Sequence, residues 1–128
     1  MSTVRTDSAT VSLLDDLKWR GLLLQSTDET RLRNWLALGS RSLYAGFDPT
    51  ADSLHVGHLT QVMTLAHFQR AGHRPIALVG GGTGMVGDPG GKTAARPILT
   101  IEEIEHNMAG LRRQLSRYLD FSPGQAIM

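Results

Sequence analysis

The sequence predicts an α/β fold organised on a parallel sheet. Two short apolar runs, Leu43 to Phe47 and Pro75 to Gly80, each end in a loop rich in turn residues, and an amphipathic stretch of helical length, Val56 to Ala71, lies between them. Strand, helix and strand in that order make a β-α-β unit, the usual connection between parallel strands, and such crossovers are right-handed. The second run is apolar without alternation, so a strand covered on both faces is expected there. In sheets of this kind ligands bind beyond the carboxyl ends of the strands.

Taken in order, the chain has a polar start and then a helix from about Ser12 to Leu24. A capped helix opens near Thr27 or Asp28 and runs to about Leu38, where Gly39 ends it. These make a helical lead-in, residues 1–40. In the second part, residues 41–128, Asp48-Pro49-Thr50 breaks the first strand and a helix begins after Ser53. The second strand runs into a long loop, Gly81 to Pro97. Thr100 with Glu103 forms a capping box that opens an amphipathic helix to about Leu119, with Ile101, Ile104, Met108, Leu111, Leu115 and Leu119 on one face.

Chemistry concentrates at the two loops. His55 and His58 are three apart at a helix start and share a face. There the helix dipole and free N–H groups favour phosphate oxygens, and negative charge that grows during nucleotidyl transfer. Gly57 between them would let a purine or ribose approach the backbone. Taken alone, an HxxH spacing is commoner among ordinary surface histidines. With no Cys, no HExxH and no third ligand at suitable spacing, a metal site is not expected.

The second loop invites two other nucleotide motifs, and neither fits. Gly82, Gly84 and Gly87 have the GxGxxG spacing, but Asp88-Pro89-Gly90-Gly91 prolongs the loop where a helix should open. Gly91-Lys92-Thr93 lacks the first P-loop glycine, because position 86 is Val.

The strings Leu43 to His58 (LYAGFDPTADSLHVGH), Ala71 to Gly81 (AGHRPIALVGG) and Gly87 to Lys92 (GDPGGK) together resemble bacterial-type tyrosyl-tRNA synthetases. His55-Val56-Gly57-His58 is a variant of the class I HIGH signature. The tetrapeptide by itself indicates only the class; the longer strings narrow it. The resemblance extends from about Leu13 to Phe121 and implies a partial Rossmann-like (HUP-type) class I synthetase nucleotide-binding fold with parallel strands.

The resemblance also implies roles. Tyr44 matches the residue that hydrogen-bonds the phenol of bound tyrosine, and Asp88 the carboxylate near its ammonium. Gly46 and Asp48 match positions lining the adenylate, and Gly57 and His58 the nucleoside-contacting part of the signature. Thr50 and His55 match groups on the terminal phosphate of ATP, while Lys92 and Arg96 match cations of a loop that closes over pyrophosphate. Ala45 stands where many relatives carry a cysteine near the ribose, and Gln61 where some carry threonine. Read without the resemblance, Tyr44 suits a core aromatic, Asp88 a turn, and Lys92 and Arg96 solvated loop charges. His67, His73 and His106 gain no motif and are expected to be surface or half-buried histidines.

In such an enzyme, ATP and L-tyrosine give tyrosyl-adenylate and then charge tRNA(Tyr). Mg2+ accompanies ATP through its phosphates, no cofactor is tightly bound, and the family's homodimer contacts lie largely beyond residue 128. Composition neither adds to nor opposes this. The chain has 128 residues, 41% hydrophobic, with a net charge of +1, so tRNA recognition is not legible as a basic stripe. The absence of Cys permits a cytoplasmic location, and the polar first ten residues lack a signal-peptide core. Two strands are few for a doubly wound domain, and no KMSKS-type loop follows. The expectation is therefore the N-terminal part of the enzyme, inactive by itself. The alternatives are a non-catalytic nucleotide- or protein-binding module on the same half-fold, and another class I enzyme such as the tryptophan synthetase.

Overall fold

The computed structural model describes residues 8–80 and 98–128. Helices α1 (Ser8–Trp19) and α2 (Glu29–Ala37) precede strand β1 (Ser42–Phe47), helix α3 (Val56–Arg70), strand β2 (Arg74–Val79) and helix α4 (Ile101–Leu115). Among the described residues the order matches expectation, with shifted ends, and the expected Gly81 to Pro97 loop lies outside them. α1 begins earlier and stops at Trp19 because Gly21 takes φ +73°, a left-handed conformation that ends a helix. α4 ends at Leu115 rather than Leu119, with Ser116 as its C-cap, yet Leu119 remains buried in the following turns.

β1 and β2 are parallel, from Ser42 opposite Arg74 to Phe47 opposite Val79. Gly80 N–H donates to Phe47 O at 2.9 Å, so the two strand ends leave the sheet side by side. The sheet gains a third position that the sequence did not announce. Ala77 N–H donates to Ile127 O at 2.8 Å and Ile127 N–H to Pro75 O at 3.0 Å, a parallel bridge on the far edge of β2. Within the Gly124 to Met128 stretch Ile127 alone makes this bridge, after a turn at Gly124.

The expectation of strands covered on both faces is not met among the described residues. Leu43, Ala45, Phe47 and Ala77 point into one cluster with Val62, Leu65 and Ala66 of α3 and Leu115 and Leu119 at the end of α4. On the other face Ser42, Tyr44, Gly46 and Leu78 are exposed. Apolar runs cannot distinguish a strand that is covered twice from one with a single covered face.

The lead-in has its own core, in which Leu13, Leu14 and Leu17 of α1 and Leu36 of α2 pack with Phe68 of α3. Each such buried side chain contributes about 1.5–3 kcal/mol. Asp28 caps α2 by accepting from Arg31 N–H at 2.9 Å. Arg33–Asp15 and Lys18–Glu29 pairs join the helices at the surface, where such pairs contribute little.

One histidine departs from expectation. His73, in the turn before β2, is buried rather than at the surface or half-buried. Its Nδ1 accepts from Arg41 N–H at 3.1 Å, and its Nε2 has no partner among the described residues.

Candidate active site

The site begins where β1 ends. Alternation along β1 sends Tyr44 and Gly46 to the open face, and Tyr44 is 70% exposed, so the core-aromatic reading of it fails. A Cβ on Gly46 would meet nothing within 4 Å, so the described packing does not call for glycine there. Ala45 lies on the opposite, core-facing side, half-buried. Asp48 is half-buried just past the strand, and Thr50 is exposed two residues on.

The histidines hold the start of α3. Gly57 N–H donates to His55 Nδ1 at 3.0 Å, and His55 N–H donates to His58 Nδ1 at 3.2 Å. The rings stack with centroids 3.8 Å apart, and Phe47 lies 6.0 Å from the His58 ring. Sequence reasoning expected free backbone N–H groups to face the ligand; two of them are instead satisfied by imidazoles. The arrangement also fixes the tautomer. With Nδ1 accepting in both rings, the proton of each neutral ring sits on Nε2, and Nε2–H becomes the donor available to an anion. Burial pulls the His58 pKa below the ordinary histidine value, helped by His55 and opposed by Asp48.

Gly57 has a reason internal to the chain. A Cβ there would stand 2.8 Å from His55 Cε1 and 2.9 Å from its Nδ1, so the glycine makes room for the capping ring whether or not a nucleoside also approaches.

Residues of α4 complete the neighbourhood, and the sequence did not point to them. Asn107 Nδ2 donates to Pro49 O at 2.9 Å, and Leu54 N–H donates to Gln114 Oε1 at 2.6 Å. A glycine inside an amphipathic helix is the signal that was available, since it commonly marks close approach of another backbone. Gly110 is that residue. A cavity of about 230 Å³ opens beside His55, lined by Leu54, Val56, Gln114, Arg117 and Tyr118 among others; neither Tyr44 nor Thr50 lines it.

Thus Tyr44, Gly46, Asp48, Thr50, His55, Gly57 and His58 lie along β1, its following loop and the first turn of α3. Asp88, Lys92 and Arg96 lie outside the described residues.

Comparison with known proteins is decisive at the level of the family, because residues 38–126 match the tRNA synthetases class I (W and Y). The chain belongs to that family. This class I synthetase chain is 54% identical over 118 residues to a tyrosine–tRNA ligase of Caldanaerobacter subterraneus subsp. tengcongensis, covering 92% of itself and 29% of the relative. To that of Clostridium beijerinckii it is 55% identical over 117 residues, covering 91% and 29%. The chain therefore spans under a third of the length of the curated relatives it matches. Its fold is similar to a C-terminally truncated mitochondrial tyrosyl-tRNA synthetase of Aspergillus nidulans, with TM-score 0.72 and 35% identity over 82% of this chain and 29% of that one. A Coccidioides posadasii counterpart gives TM-score 0.67 and 28% identity over 95% of this chain and 32% of that one.

Proposed function

We propose that this chain supplies the ATP-handling side of a tyrosine–tRNA ligase, acting within a polypeptide of the relatives' length on L-tyrosine, ATP and tRNA(Tyr). The observation that carries this reading is the paired His55 and His58 at the head of α3, reached by the loop that leaves the same strand whose open face carries Tyr44. One group suits a phenol. The others suit phosphates.

In the reaction the tyrosine carboxylate, already ionised, attacks the α-phosphorus of ATP, the bond to the β-phosphate oxygen breaks, and pyrophosphate leaves with the negative charge. No general base or protein nucleophile is required. Catalysis then rests on positioning and on donors aimed at the departing charge. His55 through Nε2–H and Thr50 through its hydroxyl are such donors, with Lys92 and Arg96 as cations of the following loop. Gly46, Asp48, Gly57 and His58 line the adenylate, and Asp88 meets the substrate ammonium. Tyr44 selects the amino acid by a hydrogen bond to the phenol, since a site built to pair a polar group rejects the analogue lacking it, a rule for which tyrosine against phenylalanine in this synthetase family is the standard example. Mg2+ enters with ATP, held chiefly by phosphates. A homodimer in the cytoplasm completes the reading. Among the described residues no helix is long and apolar enough to cross a membrane.

The test is a chimera in which the matched 118 residues of the Caldanaerobacter ligase are replaced by the corresponding stretch of this chain. Tyrosine-dependent ATP–pyrophosphate exchange by the folded chimera, with none by the 128-residue chain alone, is the expected result. A folded but inert chimera beside an active parent would overturn the proposal.

A further inference from the structure

We propose that one face of α4, carrying Asn107, Gly110 and Gln114, sets the conformation of the Pro49–Leu54 loop and so acts as a set of positioning residues for Thr50 and His55. The inference rests on the phosphate reading of those two residues given above.

The three residues are spaced i, i+3 and i+7, one stripe of a helix. Each meets the loop backbone at a different point. Asn107 Nδ2 donates to Pro49 O at 2.9 Å at the loop's beginning, and Gln114 Oε1 accepts from Leu54 N–H at 2.6 Å at its end. In the middle, Gly110 is buried, and a Cβ on it would stand 2.0 Å from Asp52 O and 2.9 Å from the Asp52 carbonyl carbon, leaving no room for any side chain. An exposed His106–Asp52 contact at 3.5 Å lies beside them and adds little.

The loop between Asp48 and His55 has no regular structure of its own. Partly buried backbone groups need partners, and here α4 provides them. The two anchored residues, Pro49 and Leu54, are the immediate neighbours of Thr50 and His55. A shift of the loop by about 1 Å would misplace both donors together, an error of the size that costs on the order of 100-fold in a reacting site.

Amide hydrogen exchange and ATP titration of the 15N-labelled 128-residue chain test this, comparing Gln114→Met, which removes the acceptor, with Gln114→Glu, which keeps one. The Leu54 amide is expected to be protected in the unsubstituted chain, to lose about 10-fold or more of that protection in Gln114→Met, and to keep it in Gln114→Glu. Protection at Ala77, which donates to Ile127 O, reports on the fold throughout. With Mg-ATP, the half-saturation concentration read at the Thr50 and His55 amides should rise about 10-fold in Gln114→Met. If that variant loses Ala77 protection, Asn107→Ala is read instead, by the Mg-ATP half-saturation concentration at the Thr50 and His55 amides, which should rise likewise.

An unprotected Leu54 amide in the unsubstituted chain, equal protection in Gln114→Met, or loss in both variants would overturn the anchoring. An unsubstituted chain that responds to ATP and a folded Gln114→Met that responds equally would overturn the positioning role alone. Where the unsubstituted chain is ATP-silent while Leu54 protection still follows Gln114, the KM for ATP is compared in the exchange-active chimera: a value about 10-fold higher with Gln114→Met supports the positioning role, an equal value overturns it, and a chimera without exchange overturns the phosphate reading instead.

Discussion

His55 and His58 together cap the start of α3: Gly57 N–H donates to the first ring, His55 N–H donates to the second, and the rings stack 3.8 Å apart. The His55 N–H contact closes only while the His58 Nδ1 is unprotonated, which ties the shape of the site to pH.

Acidification should therefore loosen this turn. The folded-state pKa of His58 lies below its unfolded value, as does that of His73, whose burial and the nearby Arg41 disfavour the charged form. Between folded and unfolded values the unfolded chain binds more protons, so this stability is complete above about 6.5 and is lost as pH falls through the window beneath it. Melting temperatures of the chain from pH 8 to pH 5 should fall, and should fall less in His73→Asn. A flat profile would contradict the assignment of these two rings as neutral.

Gly57→Ala separates helix preference from ring placement. Alanine favours a helix over glycine by up to about 1 kcal/mol, while turning the His55 ring away from a Cβ 2.8 Å distant removes a cap of about 1 kcal/mol. The melting temperature should barely move. The 15N shifts of the His55 imidazole should move, and unchanged shifts would contradict the geometry.

Two other glycines should respond in opposite ways. Gly110→Ala drives a Cβ onto the Asp52 backbone and should cost about 1–3 kcal/mol in urea unfolding, beyond anything helix preference returns. Gly46→Ala adds a Cβ in open space and should leave stability within about 0.5 kcal/mol. In the chimera, however, it should raise KM for ATP or tyrosine. Matching losses of stability would contradict the distinction between a glycine kept for packing and one kept for a ligand.

His73→Asn keeps an acceptor near the position of Nδ1 for the Arg41 amide and removes the partnerless Nε2. It should be tolerated better than His73→Ala, which leaves both a void and an unmet donor and should cost about 2–3 kcal/mol. Equal costs by chemical denaturation would show that the hydrogen bond carries no weight.

The β-α-β order, the caps of α2 and α4 and the signature turn were legible because each depends on local rules: apolar period, turn residues and side-chain caps. Thr100 and Glu103 cap α4 as expected, and Glu103 Oε2 accepts from Thr100 N–H at 2.8 Å. What the sequence hid depends on contacts far apart along the chain. The burial of His73 follows from Arg41 lying across from it, and the roles of Asn107 and Gln114 from residues about sixty positions earlier. The open face of the sheet was hidden for another reason, since Leu78 is as apolar as Ala77 although only one of them is covered. Tyr44 was ambiguous between core and ligand until its exposure was known.

The central claim is that the tip of β1 and the head of α3 receive the adenylate, phenol toward Tyr44 and phosphate toward His55. A crystal structure of the chimera with a non-hydrolysable tyrosyl-adenylate analogue tests it most directly. The account predicts the phenol oxygen within about 3.2 Å of the Tyr44 hydroxyl and the phosphate mimic at the Asp48–His55 loop. An analogue bound elsewhere on the chain, with those groups untouched, would contradict it.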